Sequence, residues 1–191
     1  MAKGEVRARM VSTAARLLAE KGPTGASFGD VLRTSGTSRG STYHHFPQGK
    51  REMYAAALDL ASQRAFNALD DARGESAVAI VEKFFVMWRT LLSRTDLKVG
   101  CAVLAVAVAG EDQDDVDHAG QIFTTWRGHL TSLFLDAGLT RGRAESLAAT
   151  TLASAEGAVA IARAEHSISS FDLVAMQVTE LVRSASASPQ A

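Results

Sequence analysis

From position 38 to position 45 the chain reads Ser-Arg-Gly-Ser-Thr-Tyr-His-His, and every side chain but the glycine carries a hydrogen-bonding group. Ser38 and Ser41 can donate or accept at base edges or phosphates, and Arg39 matches the paired acceptors of guanine or grips a phosphate. Tyr43 and His44 have the reach for backbone oxygens. Lys50 places a positive charge beside the free amides of a helix start, the makeup of a phosphate site. The chemistry is recognition of nucleic acid rather than bond making. The same residues also fit the solvated basic face of a helical hairpin, so the elements that hold them decide between the two.

Ser27 opens a Ser-Phe-Gly-Asp run, a start resembling a capping box with Asp30 in its third following position. Phe28, Val31 and Leu32 give the short helix that follows an apolar face. Gly36 suits the left-handed conformation that ends a helix. Ser38 caps a third helix to about His45, and Pro47 stops it. Two short helices about a tight turn form a helix-turn-helix, whose second helix enters the DNA major groove. The expected DNA contacts are Ser27, Thr37, Ser38, Arg39, Ser41, Thr42, Tyr43, His44 and Lys50. Ahead of them a first helix runs from about Gly4 to Lys21, with Val6, Met10, Ala14, Leu17 and Leu18 on one face, and Gly22-Pro23 ends it.

Beyond Lys50 the pattern is helical throughout. Helices are expected over about 50–72, 77–94, 101–109, 116–137, 143–165 and 171–184, making nine in all. The stretch from Ala77 is apolar nearly all round and belongs at the centre of a bundle. Strand signals are scarce, so the fold class is all-α: a three-helix DNA-binding head over 1–49, a six-helix body over 50–184, and a disordered tail over 185–191. Residues 1–51 carry nine Lys or Arg against three Asp or Glu, a charge of +6, and the remainder is −7. A basic head on an acidic body directs a polyanion to the head alone.

Apolar residues are 47% and charged residues 21% of the 191, ordinary for a globular protein that needs neither disulfide nor metal to fold. Cys101 is the one cysteine, which fits a reducing cytoplasm. The opening MAKGEVRARM has no apolar stretch of a secretory signal, and the longest apolar run, Cys101 to Ala109, is too short to span a membrane. A cytoplasmic protein with no membrane partner is expected.

Other chemistries find no support. The acids Glu111, Asp112, Asp114, Asp115 and Asp117 lack the central glycine and final glutamate of a calcium loop, and suit the positive end of a helix dipole. His44 and His45 are adjacent and, with one cysteine, make no zinc spacing. Cys101 and His129 have no spacing of a nucleophile and base. No glycine-rich phosphate loop or serine-hydrolase signature is present. No cofactor, metal or catalytic residue is expected, and the protein is not read as an enzyme.

The stretch SFGDVLRTSGTSRGSTYHHFPQGKREMYAAAL, with AARLLAEKG before it, resembles the TetR family of bacterial transcriptional repressors over roughly residues 5–58. Phe28, Ser38, Arg39, Gly40, Ser41, Tyr43, His44, His45, Phe46 and Lys50 carry the likeness. The Phe-Pro-Gln-Gly-Lys spacing at 46–50 is one residue longer than the commoner form and, with Gly100-Cys101, looks like the LmrA/YxaF-like branch. Thr37 and Thr42 depart from the family, standing where aliphatic residues are usual; a buried hydroxyl needs a partner, so either these face DNA or the head loses some stability.

The resemblance implies a homodimer whose last two helices form a four-helix bundle, whose heads each read half of a near-palindromic operator, and whose ligand changes the spacing of the heads. The partners implied are double-stranded DNA, a second copy, and a largely apolar small-molecule inducer. The sequence is compatible with this. Ala148, Thr151, Ala155, Ala158 and Ala162 are small enough for a close helix contact, and Val174, Val178 and Leu181 offer an aliphatic face for the dimer interface. Phe84, Trp88, Cys101, Leu104, Phe123, Trp126, His129 and Glu156 are candidates to line a ligand pocket, apolar with a few polar groups. The alternative is a helical protein that binds a small molecule or partner without sequence-specific DNA recognition.

Overall fold

The computed structural model describes residues 3–38, 40 and 44–187. Numbered in chain order, the α-helices among them are α1 (Lys3–Lys21), α2 (Phe28–Ser35), α3 (Lys50–Asp70), α4 (Ala77–Arg94), α5 (Ala102–Ala109), α6 (Gln113–Asp136), α7 (Arg141–Glu165) and α8 (Ser169–Ala187). A 3-10 turn, Pro23–Gly25, lies between α1 and α2, and the described residues contain no strand. The all-α expectation holds. Among the described residues no helix is long and apolar enough to cross a membrane.

Two compact units emerge. The first joins residues 1–64 to 101–122, and the second joins 65–100 to 123–191. The sequence pattern places residues 50–184 in one body. Instead α5 and the first turns of α6 group with the head, as does most of α3. The reason is burial: Met10, Ala14 and Leu18 of α1, Val31 of α2, Phe46, Met53 and Leu58, and Val103 and Val106 of α5 are all fully buried. Burying an aliphatic or aromatic side chain contributes about 1.5–3 kcal/mol, so α5 supplies part of what holds the head.

The second unit is built on α4, α7 and α8. Ile80, Val81 and Leu92 of α4, Leu130 and Phe134 of α6, Ala148 and Ala155 of α7, and Phe171 and Val182 of α8 are shielded from solvent. Helix α4 buries one broad apolar face, including Phe84, Phe85 and Trp88, but is not enclosed all round as expected: Val86 is 59% exposed. Ser76 caps α4, its hydroxyl accepting from Ala79 N at 3.3 Å. The expected tail does not begin at 185: α8 stays helical through Ala187. Ser186 donates to Val182 O at 2.8 Å, and Arg143 of α7 donates to Ala185 O at 3.0 Å, supplying a cation at a helix C-terminus.

Candidate nucleic-acid interface

The head's local geometry follows from a few residues. Ser27 caps α2, its hydroxyl oxygen accepting from Asp30 N at 3.2 Å. The Asp30 carboxylate accepts from the Ser27 hydroxyl and from Arg33, and these bonds hold its carboxyl below the usual carboxylate range. At the other end Gly36 adopts φ 65°, the left-handed conformation, and its N–H closes α2 onto Leu32 O. The turn of the helix-turn-helix is therefore as its sequence reads.

Thr37, the departure from the family pattern, is half-buried, with its hydroxyl 2.6 Å from that of Ser35. Ser35 in turn donates to Leu32 O at 3.4 Å. The Thr37 hydroxyl thus has its partner inside the head. Ser27, Ser38, His44 and Lys50 are exposed, whereas His45 is half-buried. Arg39, Ser41, Thr42 and Tyr43 lie outside the described residues.

Phe46 is fully buried, and the Arg7 guanidinium lies 5.0 Å from its ring centroid. Gly49 turns the chain into α3 with φ 74°. The amides at this helix start are not all left for an anion: Glu52 of the first turn accepts from Gln48 N at 3.2 Å, and its carboxylate also lies 3.8 Å from Arg7. The phosphate site expected at Lys50 thus shares its helix terminus with a resident carboxylate. The Lys50 ammonium sits 4.8 Å from the Tyr54 ring centroid, within cation–π range.

Tyr54 is the residue the sequence reading missed. It is 1% exposed, and its hydroxyl lies 2.9 Å from Pro23 O and 3.1 Å from Ala26 O. Burial first, then the carboxylates Asp115, Glu111 and Asp30, push its ionisation above the ordinary tyrosine range. The signal was available: a tyrosine beside Met53 on the buried side of a helix needs a partner for its hydroxyl.

The candidate ligand residues fall into two groups. Cys101 and Leu104 belong to the first unit, where Cys101 caps α5 with its sulfur accepting from Leu104 N at 3.3 Å. The other six belong to the second unit. Phe84, Trp88, Trp126 and Glu156 are buried there, and Phe123 meets Trp126 edge-on at 5.6 Å. His129 lies 4.8 Å from the Phe66 ring and 3.3 Å from the Asp70 carboxylate. Burial lowers its pKa, and Arg73 adds to that, against an upward pull from Asp70. A groove of about 350 Å³ in this unit, between α4 and α8, is lined by none of the eight.

The small-residue face expected at a dimer contact points inward. Ala148, Thr151, Ala155, Ala158 and Ala162 are 0–2% exposed, and Val178 is 6% exposed, all covered by the protomer itself. Their small size serves packing within the unit. The outward face of α7 holds a second small set, Ala149, Ala153, Gly157, Ala160 and Ala164, with Ile161 beside it. On α8, Val174 is half-buried, whereas Leu173, Met176 and Leu181 are exposed.

Comparison with known proteins gives a consistent picture. Residues 11–57 match the model of bacterial regulatory proteins of the tetR family, and residues 77–177 match the C-terminal domain of LmrA/YxaF-like transcriptional regulators. The chain is 34% identical over 185 residues to an HTH-type transcriptional regulator of Mycobacterium tuberculosis, covering 92% of this chain and 93% of that one. It is 22% identical over 187 residues to the HTH-type transcriptional regulator YxaF of Bacillus subtilis, covering 95% and 97%. Its fold superposes on the regulatory protein TetR from Rhodobacter sphaeroides with a TM-score of 0.82 at 20% identity, covering 91% of this chain and 96% of that one.

Proposed function

The chain belongs to the TetR family of bacterial transcriptional regulators, with a C-terminal domain of the LmrA/YxaF-like kind, and we propose that it is a homodimeric repressor which leaves its operator when a small molecule binds the body. Members of this family are DNA-binding regulators, not enzymes. The observation that carries the DNA-binding half is the α2 unit: a serine-capped helix, a left-handed Gly36 turn and exposed Ser38, His44 and Lys50 around the recognition segment. A net charge of +6 over residues 1–51 supplies the attraction for a polyanion.

The dimer is assigned to the outward faces of α7 and α8. Exposed Ile161, Leu173 and Leu181 beside a set of alanines and Gly157 combine apolar area with room for close helix approach. The ligand is assigned to the second unit, with Glu156 and His129 as polar groups among Phe84, Trp88, Phe123 and Trp126. The competing reading, a body whose head has lost recognition, leaned on the threonines at 37 and 42; Thr37 now has its partner in Ser35.

Selection from random duplex DNA by the purified protein tests the whole reading. A near-palindromic winner is expected, with half-sites about one helical turn apart or a multiple of it. Failure to enrich any sequence, by protein shown to be folded and dimeric, overturns the repressor reading.

A further inference from the structure

The start of α3 faces a wall of opposite charge. A cleft of about 590 Å³ in the first unit is lined by Ser27, Lys50 and Arg51 together with Glu111, Asp112 and Asp115. At its edge the Arg51 guanidinium pairs with the Asp114 carboxylate at 2.5 Å. Both side chains are more than half exposed, at 58% and 55%. Asp115 is half-buried; burial, then the neighbouring Asp112, hold its carboxyl above the ordinary range, against a downward pull from Lys50 and Arg51.

This arrangement gives Arg51 a carboxylate of its own chain to pair with, a group of the same charge as a DNA phosphate. Ser27 begins the first helix of the helix-turn-helix, and Lys50 and Arg51 follow the recognition segment within a few residues. A cation there can neutralise a phosphate and release a counterion, or it can stay on a carboxylate of its own chain. Exposed ion pairs are weak and exchange readily.

Granting that the head binds DNA, we propose that the acidic segment running from the end of α5 into the first turn of α6, through Asp114 on Arg51, is an intramolecular competitor for the DNA backbone. It keeps Arg51 off the duplex and sets the affinity of the head below what its cations allow. A movement of α5 and the start of α6 that parts the pair raises affinity, and one that tightens it lowers affinity. Control of this kind acts through the phosphate contacts and leaves base preference unchanged.

The test uses the full-length protein and a labelled mixed-sequence duplex, because phosphate contacts do not depend on sequence. Affinity is measured against salt for the parent, Asp114→Asn, Asp117→Asn, Arg51→Gln and the Asp114→Asn/Arg51→Gln pair, with thermal unfolding followed alongside. Asp117 is the control: it removes the same charge from the same helix, but its carboxylate accepts from Gln113 at 2.8 Å. Asp114→Asn is expected to bind roughly two- to five-fold tighter at low salt, the scale of one exposed ion pair. Its salt slope steepens by about one unit, as for one added phosphate contact. Adding Arg51→Gln abolishes the gain. The proposal is overturned if Asp117→Asn gives the same gain, if the slope stays the same, if the gain survives Arg51→Gln, or if folded Asp114→Asn binds no tighter. Absence of salt-dependent binding by the parent protein removes the DNA-binding reading itself, and this proposal with it.

Discussion

The hydroxyl of Tyr54 lies 2.9 Å from the carbonyl oxygen of Pro23, across 31 residues of chain. With Ala26 O at 3.1 Å, it ties the first turns of α3 to the segment that leads into the Ser27 cap. Those two elements flank the recognition segment, so the bond fixes the frame in which the segment is presented.

Tyr54→Phe keeps the ring and removes the bond. Two buried carbonyls then lose a donor, and a loss of about 1–2 kcal/mol is expected. Urea unfolding should show a lower midpoint at unchanged slope. The pH dependence carries the same signature. Folding raises the pKa of this phenol, so its contribution is complete below the ordinary tyrosine value near 10 and falls as pH rises beyond it. The parent should lose stability above about pH 10 more steeply than Tyr54→Phe; parallel curves would show that the hydroxyl is not held as described.

His129 gives a second pH signature in the opposite direction. Its pKa is lowered, chiefly by burial, so the folded state resists protonation more than the unfolded chain does. The stability this represents is full above the ordinary histidine value near 6.5 and is lost as pH falls from there through the lower folded value. Asp70 opposes the shift from 3.3 Å, and Arg73 reinforces it. Between about pH 7.5 and about pH 5.5 the parent should lose more stability than His129→Gln. A steeper loss in the variant would mean that the Asp70 pair outweighs burial.

How much of this was legible beforehand depended on whether the signal was local. Caps, glycine turns and apolar periodicity act within a few residues, so Ser27, Gly36 and the bounds of α4 could be read directly. The grouping of α5 with the head could not, because Cys101 to Ala109 is apolar on all sides and shows no preferred face. The inward turn of the small-residue set expected at a dimer contact has a related reason. Helix α7 has small residues on both faces, and spacing alone cannot say which one the protomer covers: Ala155 is fully buried, whereas Gly157 has nothing within 4 Å of where a Cβ would stand. That Tyr54 needs a hydroxyl partner could be read from its place beside Met53, but which partner could not, because Pro23 O and Ala26 O are backbone carbonyls that leave no trace in the side-chain pattern.

That distinction between Ala155 and Gly157 separates folding from assembly. Ala155→Leu overfills a packed interior and should cost roughly 1–3 kcal/mol of stability. Gly157→Glu adds a charged side chain to an outward helix face. In an isolated protomer it replaces a poor helix former with a better one, so thermal stability at low concentration should hold or rise. In a dimer that uses this face, it should shift the sedimentation profile toward monomer. A Gly157→Glu protein that stays dimeric at micromolar concentration would move the interface off α7.

The proposed DNA contacts Arg39 and Lys50 should divide into reading and holding. If Arg39 pairs with a base edge, Arg39→Ala should cost about 1–3 kcal/mol on the selected operator and relax the preference at one position. The loss on mixed-sequence duplex should be much smaller. Lys50 lacks the planar fork that recognises guanine, and its ammonium is fixed over the Tyr54 ring at 4.8 Å. Lys50→Ala should therefore weaken both duplexes alike and reduce the salt slope by about one unit. Because Glu52 bonds to Gln48 N in the same turn, the carboxylate left behind repels the backbone more strongly once Lys50 is gone. Lys50→Ala/Glu52→Gln should recover part of the affinity without restoring the slope. Full recovery of the slope would show that Glu52, rather than the loss of a phosphate contact, accounts for the effect of Lys50→Ala.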